Sequence, residues 1–258
     1  MPTLNRRWFT AVTLLPVLLG APPAATAGVV PLLDLHAGLG YWQPAPAGDV
    51  ASDGDRFDVE DDLDFGRNST NLFRLGVEHP VPWLPNVRLS HLSLRDSANS
   101  TVTGTRTFGP VTFRQDEDVR SEYDLAITDA TFYYRPLDNW IALDLGMTVR
   151  YMEIDVEIES RESGEREEAG GSFVIPMAHL GLRGDLPLTG VYGTAEIDAI
   201  SVSGNSLRDL RAGVGWESPR VFGIEAGYRQ MALDIDDADD LEADMDFSGA
   251  YVQANLRF

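Results

Sequence analysis

Between Trp140 and Met152 the chain reads WIALDLGMTVRYM, with a large apolar residue at every second position. Ile141, Leu143, Leu145, Met147, Val149 and Tyr151 form one set, and Ala142, Asp144, Gly146, Thr148 and Arg150 form the other. A period of two belongs to a β-strand, whose successive side chains point to opposite faces. A helix would need apolar residues three and four apart, and no such run persists beyond residue 27.

The same alternation recurs along the chain. Leu33, Leu35, Ala37, Leu39 and Tyr41 oppose Asp34, His36, Gly38 and Gly40, and Phe73, Leu75 and Val77 oppose Arg74, Gly76 and Glu78. Ala178, Leu180 and Leu182 oppose His179, Gly181 and Arg183; Val191, Ala195, Ile197 and Ala199 oppose Thr194, Glu196 and Asp198. Leu210, Ala212, Val214 and Trp216 stand against Asp209, Arg211, Gly213 and Gly215, then Phe222, Ile224, Ala226 and Tyr228 against Gly223, Glu225, Gly227 and Arg229. At the end, Ala250, Val252, Ala254, Leu256 and Phe258 alternate with Gly249, Tyr251, Gln253, Asn255 and Arg257. Two segments change phase. NVRLSHLSLRD moves from Val87 and Leu89 to Leu92 and Leu94, and EYDLAITDATFYY from Leu125 and Ile127 to Ala130, Phe132 and Tyr134. A β-bulge in each would account for the slip.

Each segment is about ten residues long, the length a tilted strand needs to cross a bilayer. Short turns rich in Pro, Asn and Gly (PVPWLPN, PLDN, DLPLTG, ESPR) alternate with polar connections, mostly longer, near 44–68, 97–121, 153–171, 203–206 and 235–245. The expected fold is all-β: an antiparallel, transmembrane, up-and-down β-barrel of ten strands, with eight as the alternative and both termini periplasmic. Residues 28–258 form one domain in this reading, since no linker breaks the pattern.

A soluble barrel also alternates, so the chemistry of the two faces must decide. A soluble barrel hides its apolar face. Here the polar face is crowded with glycine and with both signs of charge. Asp34, Glu78, Asp144, Glu196, Asp198, Asp209 and Glu225 accompany Arg74, Arg150, Arg183, Arg211, Arg229 and Arg257. The chain as a whole carries −21, so this near-balance is local and the excess acid lies in the connections. Paired carboxylates and guanidinium groups suit a narrow lumen, which turns the apolar face outward to lipid. Tyr41, Trp42, Trp83, Tyr133, Tyr134, Trp140, Tyr151, Trp216, Phe222, Tyr228 and Phe258 fall largely near segment ends, as interfacial girdles do.

The first residues supply an address. Arg6 and Arg7 precede the apolar run FTAVTLLPVLLGA, and small residues follow up to Ala27. This is the pattern of a cleaved secretory signal over 1–27. The acidic balance excludes nucleic acid as a partner. Without cysteine there are neither disulfides nor thiolate sites.

The segments EHPVPWLPNVRL (78–89), YYRPLDNWIALDLGMTVRY (133–151) and DDADDLEADMDFSGAY (236–251) resemble a family of small, functionally uncharacterised proteobacterial outer-membrane β-barrel proteins. The resemblance implies the barrel fold and the outer membrane of a Gram-negative bacterium, and brings no catalytic residues with it.

Candidate chemistry is sparse. The expected lumen ion pairs draw on Glu78, Asp144, Glu196, Asp198, Asp209 and Glu225 with Arg74, Arg150, Arg183, Arg211 and Arg229. Acidic runs occupy three connections, and Asp236, Asp237, Asp239, Asp240, Glu242 and Asp244 have the oxygen density to hold Ca²⁺ or Mg²⁺ weakly. Solvated charge is the simpler reading of these runs, and no cofactor is expected. His36, His79, His91 and His179 form no visible Ser/His/acid set; Ser90 alternates to the face opposite His91. Phe258, closing an alternating strand, resembles the signal read by the barrel-assembly machinery. The expected role is a structural or interaction barrel with acidic outer loops, monomeric, in contact with lipid and lipopolysaccharide. A narrow diffusion pore or small-solute channel is the alternative, and a lipid-modifying enzyme comes last.

Overall fold

The structure, a computed structural model, describes residues 33–52, 55–58, 68–101, 106–108, 111–113, 118–161, 164, 166–219, 221–238 and 241–258. The expected export signal lies outside the described residues. The strands are β1 (Asp34–Ser52), β2 (Asp55–Asp58), β3 (Thr70–Glu78), β4 (Asn86–Thr101), β5 (Arg106–Phe108), β6 (Val111–Phe113), β7 (Asp118–Asp138), β8 (Ile141–Ser160), β9 (Arg166–Asp185), β10 (Val191–Val202), β11 (Asn205–Glu217), β12 (Phe222–Ala238) and β13 (Leu241–Arg257). Among the described residues there is no helix.

β1, β3, β4 and β7 to β13 pair antiparallel in chain order, and β13 returns to β1, from His36 opposite Arg257 to Ser52 opposite Leu241. The sheet therefore closes into a ten-stranded barrel, and the eight-strand alternative falls. β2 folds back on β1, while β5 and β6 form a separate short hairpin. Ten strands about 4.8 Å apart, tilted by about 40°, make a backbone cylinder about 20 Å across. At that width, side chains from opposite walls meet.

Leu33 and Phe258 lie at the end of the barrel that carries the short turns (the turn end). At the other end (the loop end), several strands run far into the expected connections. β8 and β9 stay paired from Ile141–Gly184 out to Glu159–Arg166, so most of 153–171 is sheet. The same holds for much of 44–68, 97–121 and 235–245. The exception is β10–β11, joined by a two-residue turn at Ser203 and Gly204 with φ of 53° and 91°. Paired positive φ is what a right-twisted hairpin needs, and Gly204 supplies it without strain.

The bulges expected between Leu89 and Leu92 in β4 and between Ile127 and Ala130 in β7 are absent; the one irregularity in β7 lies between Tyr134 and Leu137, near the turn. β4 pairs with β7 in unbroken register from Asn86–Tyr133 to Thr101–Asp118, and β7 with β8 from Val119–Ser160 to Tyr134–Leu145. What changes is the chemistry of each face. On β8, Ile141 to Tyr151 point outward as apolar residues, and the next outward positions are Glu153, Asp155, Glu157 and Glu159. The inward positions run Asp144, Thr148, Arg150 and then Met152, Ile154, Val156. β7 switches at the same level, with Asp129 and Thr131 inward on the turn side and Ile127 and Leu125 inward on the loop side. β4, β12 and β13 follow. Ser90 gives way to Leu92, Arg229 to Met231, and Gly249 to Phe247 on the inner face.

The outward apolar stretch of β8 spans ten residue steps, about 26 Å along the axis at about 40° tilt. Leu39, Phe73, Leu75, Leu145, Leu182, Val214 and Ile224 all lie exposed on this belt. It is the exterior of a barrel that spans a membrane. Beyond the belt the strands obey the rule of soluble proteins, apolar inside and charged outside.

Candidate functional site

On the turn side of the switch, the lumen is bridged by arginines. Arg74 from β3 reaches Glu196 on β10 with two hydrogen bonds of 3.1 and 2.9 Å, and Arg88 adds a third at 3.1 Å. Arg135 donates to Glu78 at 2.7 and 2.8 Å and to Asp144 at 2.7 and 3.0 Å. Arg150 holds Asp129 through two bonds and Asp209 through one of 2.6 Å, while Arg229 grips Asp209 from the other side. Arg211 joins Glu225 at 2.8 Å and Gln253 at 3.0 Å. Bidentate guanidinium–carboxylate contacts fix direction as well as charge, so each acid is oriented as well as neutralised.

Aromatic rings complete this layer. Tyr133 donates to Glu78, and Tyr192 and Tyr251 both donate to Glu225. Arg183 stacks over Tyr192 at 3.7 Å and Arg211 over Tyr251 at 3.9 Å, which uses the ring faces that hydrogen bonding leaves idle. The Tyr192 ring occupies the place a Cβ would take at Gly215, and Tyr251 does the same at Gly213. Glycine is needed there for close approach of a ring to the wall.

The loop-side layer is apolar. Trp42, Leu72, Leu92, Leu94, Leu125, Ile127, Met152, Met177, Leu207, Met231, Phe247 and Tyr251 form one buried cluster drawn from both sides of the barrel. Trp42 joins the layers. Its indole donates to the Gly249 carbonyl at 3.2 Å, and Arg229 sits 4.9 Å from its ring. Between the layers a cavity of about 40 Å³ remains beside Arg74, Asp129 and Glu196, room for a few waters.

The residues named from the sequence divide as follows. Glu78, Asp144, Glu196, Asp209 and Glu225 contact arginines, as do Arg74, Arg150, Arg183, Arg211 and Arg229 their acids. Arg183 lies at the turn end with Asp185 and Glu217 rather than across the lumen. Asp198 differs: its partners are Thr148 and His179. Arg88, Asp129 and Arg135 alternate inward opposite the outward Val87, Leu89, Ala130, Phe132 and Tyr134, and join the pairs although the sequence had suggested no polar set for β4 or β7. Leu92, Leu94, Leu125 and Ile127 of the apolar layer were turned outward by the assumed phase slips. Trp42 and Tyr133, expected in the girdle, are buried inside the barrel at 0% and 1% exposure.

His91 points outward and meets Thr128 at 2.9 Å, His79 bonds the Pro85 carbonyl in its turn, and His36 lies near Asp34 at the turn end. Phe258 is exposed and its backbone exchanges bonds with Leu35. Of the expected cation loop, Asp239 and Asp240 lie outside the described residues, as do the side chains of Asp236, Asp237 and Glu242; Asp244 is exposed. Asp244 does stand in a register row with Asp234, Asp49 and Asp58. Among the described residues, no three acids or histidines converge to hold a metal ion.

No family model matches the chain, and no curated protein matches it. Solved structures share its outline loosely. The translocator domain of the autotransporter NalP from Neisseria meningitidis is 10% identical with a TM-score of 0.46, over 90% of each chain. The transport unit of the autotransporter AIDA-I from Escherichia coli is 8% identical with a TM-score of 0.40, over 91% of this chain and 92% of that one. Ail, the attachment invasion locus protein of Yersinia pestis, is 14% identical with a TM-score of 0.37, over 88% and 99%. The description of this chain as a closed membrane barrel rests on its own strand pairing and outer surface.

Proposed function

We propose that the protein is an outer-membrane β-barrel whose lumen is sealed, and that it serves as a rigid platform carrying a β-structured, acidic head beyond the lipid. One observation carries this reading: two unlike layers fill the bore in series. An ion must pass both. The charged layer alone leaves room for a few waters, but the apolar layer, built mainly of leucine, isoleucine, methionine and aromatic side chains, has too few polar groups to replace a hydration shell. The same fill argues against the channel alternative. The outward belt supports membrane residence, and the balanced lumen charge supports a static scaffold.

Planar-bilayer recording from the purified, folded chain tests the seal. The expected result is no unitary conductance in either potassium chloride or small organic salts. Discrete channels that persist across preparations and vanish on heat denaturation would overturn the reading in favour of a pore.

A further inference from the structure

The barrel wall is incomplete on one side of the loop end. β9 and β10 pair from Tyr192–Asp185 to Ala199–Ala178, and there the ladder stops. β8 continues along β9 past that point, through Val149–Pro176 and Tyr151–Val174 to Asp155–Gly170. Pro176 explains the stop. Proline has no N–H, so within a sheet its nitrogen must point away from the strand it pairs with. β8 lies on one side of Pro176, so its nitrogen points to the other, where β10 would have needed a donor. Backbone direction alternates along a strand, which turns the N–H and C=O groups of Gly170, Ser172 and Val174 the same way. Among the described residues no strand pairs with β9 on that side beyond Ala178.

The side chains beside this edge are equally unfinished. Phe173 and Val202 belong to the inward sets of their strands, yet are 49% and 59% exposed. On the outer face β8 presents Glu153 and Asp155 opposite Ser172 and Gly170, and β12 presents Asp234. An unpaired edge with an apolar inner side and an acidic outer side has the chemistry of a missing strand.

We propose that this edge receives an extended, basic peptide segment of a partner protein, which adds to β9 as a strand. Backbone groups of the segment would pair with Gly170, Ser172 and Val174. Its alternate apolar side chains would cover Phe173 and Val202, and its lysines or arginines would lie along the acidic outer face. The site needs only that the loop end be reachable from water, so it stands whether or not the lumen conducts.

The folded full-length chain in zwitterionic micelles is titrated with a labelled, end-blocked peptide alternating lysine and valine. Saturable binding is expected, with slowed amide exchange at Gly170, Ser172 and Val174. Ser172→Pro removes one edge-facing donor and leaves the β8 ladder whole, so binding should weaken at least about tenfold. Should that variant fail to fold, the same peptide N-methylated on alternate residues, made in both registers, applies the test to the unaltered protein; one register should lose binding. A glutamate–valine peptide should bind weakly. Unchanged exchange at the three amides, equal affinity for Ser172→Pro and both N-methylated peptides, or a sedimenting dimer that occupies the edge with a second copy would overturn the proposal.

Discussion

Replacing Arg150 by methionine separates two views of the lumen charges. The side chains of Arg150 and Asp129 are 1% and 8% exposed, and the pair is bidentate at 2.8 and 2.9 Å. Arg150→Met keeps the volume but leaves Asp129 with only Ser90, at 3.5 Å. Asp209, the other partner, keeps Arg229. Exposed ion pairs contribute about 0–1 kcal/mol, whereas removing one member of a buried pair costs about 3–5 kcal/mol. Asp129 borders the small cavity, where water can reach it, so the lower figure applies: about 3 kcal/mol, or somewhat more than a hundredfold in the unfolding constant. The double variant Arg150→Met with Asp129→Leu removes the stranded charge and should recover to within about 1 kcal/mol of the parent. Reversible urea unfolding in micelles, followed by tryptophan fluorescence with unchanged slopes, measures all three chains. A single variant as stable as the parent, or a double variant no better than the single, would refute the reasoning.

Three further outcomes follow from the fold. In variants retaining one tryptophan, brominated phospholipids should quench Trp216, on the outer face of β11, and the exposed Trp83 and Trp140 of the turn end, and leave Trp42 bright inside the barrel. Gly215→Val should destabilise by about 1–3 kcal/mol in the same urea assay, since its side chain would enter the Tyr192 ring. Leu188 is fully exposed with φ of 69°, a conformation that a leucine Cβ resists. Leu188→Asn should therefore raise stability, by up to about 1 kcal/mol.

The barrel was legible because alternation is a local signal that needs no knowledge of partners. Ile141 to Tyr151 declare their faces within one segment, and nearly every segment repeats the statement. The outward belt and most cross-lumen arginines came with it. The apolar layer was not legible under a single rule for the interior. Leu92, Leu94, Leu125 and Ile127 looked out of phase only on the premise that inward residues are polar throughout. Their register never shifts. The extension of β8 and β9 was missed for a related reason. Glu153, Asp155, Glu157 and Glu159 read as an acidic loop, but Met152, Ile154 and Val156 between them kept the same period of two. Which acid meets which arginine depends on strands far apart in sequence, such as β3 and β10, and no local pattern carries that.

The level at which both faces change character also bears on how errors in assembly are corrected. A one-residue slip of β8 against β7 would exchange its two faces along the whole strand. On the turn side it would push Asp144 and Arg150 into lipid. On the loop side, in the same movement, it would push Met152 and Ile154 into water and draw Glu153 and Asp155 into the apolar cluster. An ordinary membrane strand is checked by one boundary, and a soluble strand by another. Here both checks act on one strand, with opposite preferences. A misregistered hairpin therefore finds no compensating gain at either end, and the pairing that satisfies lipid is also the one that satisfies water.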